Sequence, residues 1–315
     1  MGKTPRLTVT LLAACGSCAT LVGAALLYAS PAFPAGQPRH PAAVRPAEHG
    51  RLRDAAGPPG QPIDPALFSP GACLAYTPTS GNRHETVFLD AGHGGIDPGA
   101  VGRTQSGAPV NEAAVNLTVE LDTMAILRAE GYRVVASRTE NTTVTKLTTA
   151  DLDRGLLTVR GVINDVGARD VCANLAGADV LVGIYMDSGR PRNAGCVTGY
   201  DAARRFSAAN LRLATLLQDD VLHAMNAQGW GIPDEGVMPD TGLGSALKKR
   251  ALAYGHLILL GPAKAGYFTT PSQMPGALIE PLFVTDPFEG SIAASAHGQQ
   301  VIAAALAVAI NQYFA

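Results

Sequence analysis

From Val87 onward the chain alternates short contiguous apolar runs with longer stretches in which apolar residues recur every three or four positions. Val87-Phe-Leu89 is the first run, built of β-prone residues, and Gly92, Gly94, Gly95 and Gly99 forbid its continuation. Val115, Leu117, Leu121, Met124 and Leu127 then fall on one side of a predicted helix that opens at Asn111, a plausible N-cap, and stops at Gly131. Tyr132 to Ser137 reads as a second strand, Thr158 to Leu175 as a helix, Asp179 to Asp187 as a third strand and Cys196 to Tyr200 as a fourth. Phe206 to Gln228 has the period of a long amphipathic helix. Leu257 to Leu260 and Ala277 to Ile279 read as buried strands, and Ile292 to Tyr313 as an alanine-rich closing helix. Strands alternating with helices predict a single α/β domain with a mainly parallel twisted sheet and helices on both faces. In such a sheet the ends of parallel strands share one edge, so His93, the end of the third strand and Glu280 are expected to meet there.

The N-terminal third lacks this periodicity. Lys3 and Arg6 precede an uncharged, mostly apolar segment from Leu7 to Ala29, which reads as an export signal in residues 1–29. The segment is also long enough to span a bilayer if left uncleaved. Leu12-Ala-Ala-Cys15 resembles a lipobox, but the apolar run continues well past Cys15, which favours a cleaved signal or an anchor. Each version puts the rest of the chain outside the cytoplasm: secreted, wall-associated or membrane-anchored. Eleven of the 22 prolines lie between Pro31 and Pro78, so residues 30–82 read as a disordered linker and residues 83–315 as the folded domain.

Composition narrows the function classes. The 315 residues carry 24 basic and 26 acidic side chains, a near-neutral balance that argues against a nucleic-acid partner. Membrane contact is expected only through an uncleaved N-terminal segment. Of the cysteines beyond the signal, Cys172 and Cys196 flank the same predicted strand and are the expected disulfide, leaving Cys73 over.

The stretch Asp90-Ala-Gly-His-Gly-Gly-Ile-Asp-Pro-Gly99 resembles the opening motif of the zinc-dependent N-acetylmuramoyl-L-alanine amidases, the Amidase_3 group of peptidoglycan hydrolases. The resemblance runs from about Val87 to Phe314. It implies that His93 is a zinc ligand, that Glu112 in Asn-Glu-Ala-Ala-Val-Asn-Leu is the second, and that Glu280 in Ala-Leu-Ile-Glu-Pro-Leu-Phe is the catalytic glutamate. Ser137-Arg138 and Arg169-Asp-Val-Cys-Ala-Asn174 are similar to two further family segments. One position departs: the family's third strand ends in a histidine that ligates zinc, and here the stretch is Gly183-Ile-Tyr-Met-Asp187. Tyr185 occupies the ligand position, and Asp187 lies two residues on, on the same side of the strand. Tyr185 would ligate only as a phenolate, against an ordinary pKa of about 10.

His84 and His256 precede predicted strands, at the edge away from His93, and His223 lies within a helix, so none of the three is read as a ligand. The resemblance implies an exported amidase that hydrolyses the bond between N-acetylmuramic acid and L-alanine of the stem peptide with zinc-activated water. The alternative is an impaired amidase-fold protein that binds or regulates the cell wall, with zinc held weakly or not at all. Peptidoglycan is the expected partner in both.

Overall fold

The structure is a computed structural model that describes residues 59–244 and 253–315. Among the described residues twelve strands are present in chain order: β1 Gln61–Pro62, β2 Ala72–Tyr76, β3 Thr86–Ala91, β4 Val101–Arg103, β5 Pro109–Asn111, β6 Arg133–Arg138, β7 Leu152–Asp153, β8 Leu156–Leu157, β9 Val180–Ile184, β10 Cys196–Tyr200, β11 Asp234–Pro239 and β12 Gly276–Glu280. The long helices are α1 Glu112–Ala129, α2 Val159–Ala176, α3 Ser207–Ala227 and a C-terminal helix Ala296–Phe314, preceded by the short helix Pro287–Ala293.

Eight strands form one sheet in the order β1-β2-β6-β3-β9-β12-β10-β11. Its central block, β6 to β12, is parallel, whereas β2 and β10 join that block antiparallel. Successive side chains in a strand face opposite ways, and this divides the contiguous apolar runs between two cores. Val87, Leu89, Val134, Ala136, Val180, Val182, Ile184, Ala277 and Ile279 face a core shared with α1, α3 and the C-terminal helix. Phe88, Val135, Leu181 and Leu278 face the other, which Cys172 and Ala173 of α2 close. The expected mainly parallel α/β layering is therefore observed.

Four expectations are corrected. The ordered fold starts before residue 83: β1 and β2 pair with each other, β2 pairs with β6, and Phe68, Ala72 and Cys73 are buried. The proline-rich composition hid a short strand pair at the sheet edge, where proline is tolerated. Residues 1–29, and the linker as far as residue 58, lie outside the described residues. The disulfide joins Cys73 to Cys172, with Cα atoms 5.7 Å apart, and Cys196 is free and buried. Cys196 faces the α3 side of the sheet and Cys172 the α2 side, so the sheet itself separates the pair we expected. Leu257 to Leu260 is a buried turn, its amides at Leu260 and Gly261 both bonded to the Leu257 carbonyl; a four-residue apolar run has no period that would tell turn from strand. The closing helix is two helices bent by 73°, because Ser295 caps the second by accepting a hydrogen bond from the Gly298 amide at 2.9 Å. Among the described residues no single helix is long and apolar enough to cross a membrane.

Candidate metal and catalytic site

The site forms where β3, β9 and β12 end side by side. β3 stops at Ala91, and the chain turns through His93 with φ 62°, a left-handed conformation rare for a residue with a Cβ. Two buried arginines hold that turn from beneath. Arg169 of α2 donates to Asp90 Oδ1, to the Ala91 carbonyl at 2.7 Å, to the His93 carbonyl at 2.8 Å and to Asp165 Oδ2 at 3.0 Å. Arg138, at the end of β6, donates to the carbonyls of Ala91, Gly92 and Ala113. A local pair of backbone bonds between Gly94 and Asp97 closes the loop.

That anchorage aims the His93 ring at two carboxylates. Its Nδ1 lies 2.8 Å from Asp97 Oδ2 and its Nε2 3.2 Å from Glu112 Oε1. Glu112 opens α1 behind the Asn111 cap, whose side chain accepts the Ala114 amide. Glu112 is only 3% exposed, and it accepts the amides of Ala100 at 2.6 Å through Oε2 and Met186 at 3.2 Å through Oε1. The close fit requires glycine at position 99: a Cβ there would stand 2.5 Å from Glu112 Oε2 and 2.7 Å from the His93 ring. Burial works against a charge on His93, but hydrogen bonds to Asp97 and Glu112 outweigh it and hold the imidazolium up to about 10.

Asp187 and Glu280 face the same acidic corner. Asp187 is fixed by its bridge to Phe283 and by its amide bond to the Leu282 carbonyl. Its carboxyl is pushed up to about 6 by burial and by the charges of Glu112 and Glu235. Glu280, the last residue of β12, is pushed well above the carboxylate range by burial, by Asp187 and by Glu112, with His93 opposing. Asp97, Glu112 and Glu280 thus all act on one imidazole, and Asp187 acts on Glu280.

Tyr185 does not join them. Its hydroxyl donates to Asp90 Oδ2 at 3.1 Å, on the Arg169 side of the loop. Its ring lies over Gly92, where any Cβ would collide with it at 2.3 Å, and edge-on to His93 with centroids 5.6 Å apart. Burial and the Asp90 charge drive the phenol well above its ordinary pKa. Arg138, at the foot of the loop, is committed to backbone carbonyls. Asp97 and Arg169 carry roles that were not assigned from sequence; the Asp four residues after His93, and the Arg-x-x-x-Ala-Asn segment, were the signals available.

A family model of N-acetylmuramoyl-L-alanine amidases, Amidase_3, matches residues 87–312. The chain belongs to this family. Among curated relatives it is 28% identical over 245 residues to the N-acetylmuramoyl-L-alanine amidase AmiA of Salmonella typhimurium, covering 72% of this chain and 75% of that protein. It is 25% identical over 230 residues to the uncharacterized protein YqiI of Bacillus subtilis, covering 73% and 85%. Among solved structures, the CwlD amidase of Clostridioides difficile, determined in complex with the GerS lipoprotein, has the same fold with a TM-score of 0.55 at 21% identity, covering 73% of this chain and 98% of that one.

Elsewhere in the protein, one further donor group stands out. Among the described residues, Asp201, Asp240 and His256 each offer a ligand atom within 4.8 Å of the others. It lies at the opposite edge of the sheet from His93.

Proposed function

We propose that the protein is an exported peptidoglycan amidase that hydrolyses the amide between N-acetylmuramic acid and L-alanine with a divalent metal, zinc by family resemblance. The observation that carries this reading is the approach of His93 Nε2 to Glu112 Oε1 at 3.2 Å, with Asp97 behind Nδ1 at 2.8 Å. A carboxylate on the far nitrogen is the usual orienting partner of a metal-bound histidine. The surplus of carboxylates around His93 suits a doubly charged ion. His93 and Glu112 would hold it, and Asp187, which follows the Met186 amide bonded to Glu112 Oε1, would be the third donor. Zinc bound there would supply Lewis acidity to the scissile carbonyl and to water.

The chain's own groups do the rest. Glu280, at the end of β12, accepts the proton of the attacking water and delivers it to the leaving amine of L-alanine. Asp97 keeps Nε2 of His93 turned toward Glu112, and Arg169 and Arg138 keep the loop in place.

Two measurements on the purified protein test the proposal: bound zinc by elemental analysis, and release of stem peptide from purified sacculi. Wild type is expected to retain zinc at His93 and to release peptide, and Glu280→Gln to keep the metal and lose the release. A zinc-loaded protein that sediments with sacculi yet frees no peptide would replace this reading with that of an impaired, wall-binding member of the family.

A further inference from the structure

At the edge of the sheet remote from His93, three side chains from separate elements converge. β10 runs antiparallel to β12, with Val197 opposite Glu280 and Tyr200 opposite Ala277. Asp201, the residue after β10, is therefore about 13 Å farther along the strand than the partner of Glu280, at four residues of roughly 3.3 Å each. β11 is parallel to β10, so Asp240, just past its end, arrives at the same place. His256 immediately precedes the buried turn Leu257–Leu260.

The donor atoms are arranged in an unusual way. Asp201 is fully buried and Asp240 is 2% exposed. The outer oxygen of each is taken by backbone: Asp201 Oδ1 accepts the amides of Ala203 and Arg204 at 2.7 and 2.8 Å, and Asp240 Oδ2 accepts that of Leu257 at 2.8 Å. The inner oxygens both face one nitrogen. His256 Nδ1 lies 2.9 Å from Asp201 Oδ2 and 3.2 Å from Asp240 Oδ1. A single N–H shared between two acceptors satisfies neither fully. It is aligned with Asp240, and Asp201 Oδ2, buried and 2.9 Å from the same nitrogen, has no aligned hydrogen-bond donor.

Charge is also unbalanced there. The Arg204 guanidinium donates to the carbonyls of Leu260, Gly261 and Ser272. Asp240 is pushed above its ordinary pKa by burial and by Asp201, despite the Leu257 amide and His256. Two buried carboxylates on one imidazole leave an uncompensated negative charge, which is costly away from water.

We propose that Asp201, Asp240 and His256 form a second divalent-metal site, independent of the amidase centre, that takes a transition ion of the zinc or manganese class. Donors in a tetrahedral shell with bonds of about 2.1 Å stand about 3.4 Å apart, near the 2.9 and 3.2 Å from His256 Nδ1 to the two carboxylates. One imidazole with two carboxylates suits zinc or manganese and is poor for calcium, which takes six to eight oxygens. The backbone amides on the outer oxygens orient the ligands, and the His256 side chain, 20% exposed, leaves one side open to water. The ion's role there is structural: it ties the buried turn that follows His256 to the ends of β10 and β11.

The test uses the full chain, stripped by chelator, with zinc binding measured by equilibrium dialysis and metal analysis. His93→Ala removes the amidase centre from the count, so the result does not depend on the function proposed above. The His93→Ala protein is expected to bind one zinc per chain and to rise in Tm on zinc addition, with manganese competing and calcium not. Adding His256→Gln, which retains a polar side chain at a partly exposed position, should remove that zinc or weaken its Kd at least about tenfold. Should the double variant fold poorly, the Tm response of His93→Ala alone decides. A His93→Ala protein that binds no zinc, or whose zinc is untouched by His256→Gln, would overturn the second site.

Discussion

Replacing Arg169 with methionine is the sharpest perturbation of the structure that positions His93. The guanidinium is 1% exposed and makes four hydrogen bonds, two to the carboxylates of Asp90 and Asp165 and two to the carbonyls of Ala91 and His93. Methionine matches the length of the stem but supplies no donor. Asp165 would keep the amides of Val144 and Thr145, and Asp90 would keep the Tyr185 hydroxyl. Asp90, fully buried, would nonetheless lose the guanidinium it is hydrogen-bonded to, the situation in which breaking a buried pair costs about 3–5 kcal/mol. Urea unfolding followed by circular dichroism, extrapolated to water, measures that loss. Asp90→Asn in the Arg169→Met background removes that carboxylate, so the double variant should recover at least about 1 kcal/mol relative to additivity. Because the His93 carbonyl is released as well, zinc retention should fall with stability. A loss below about 1 kcal/mol, the range of an exposed ion pair, or strict additivity of the two substitutions, would refute the argument that this pair carries the loop.

Tyr185→Phe tests the assignment of its hydroxyl to Asp90: stability should drop by about 1–3 kcal/mol, the cost of removing one partner of a buried bond, while zinc retention is unchanged, and loss of zinc would make Tyr185 a ligand after all. Cys73→Ser should cost about 4–5 kcal/mol, since the bridge to Cys172 closes a loop across a separation of 99 residues, and reductant should have the same effect on wild type in urea unfolding. Glu120, buried against the Ser137 amide, is pushed from 4.5 to about 8 by its burial, with Arg138 opposing. Its folded pKa lies above its unfolded one, so its contribution to stability is complete below about pH 4.5 and is lost as the pH rises to about 8, at up to about 1.4 kcal/mol per pH unit. Glu120→Gln should flatten that part of the stability profile, and an unchanged slope would locate the titration elsewhere.

The family and the layered fold were open to a reader of the sequence because their signals are local. Contiguous apolar runs mark strands buried on both faces, and the glycine-wrapped His93, the capped Glu112 and the strand-ending Glu280 each depend on a few neighbouring residues. Parallel strand order then brings the three to one edge. What depends on distances across the sheet was not open. Cys172 has its partner at Cys73 because both lie on the α2 face, a fact that spacing along the chain does not encode. Tyr185 occupies the position of a ligand, yet its hydroxyl is drawn to Asp90 because Arg169 fixes that carboxylate beside it. The sheet's first two strands were hidden by proline content, and β11 by a polar sequence with little apolar alternation. Without β11, Asp240 has no place near Asp201 and His256, and only the folded sheet brings those three donors together at its far edge.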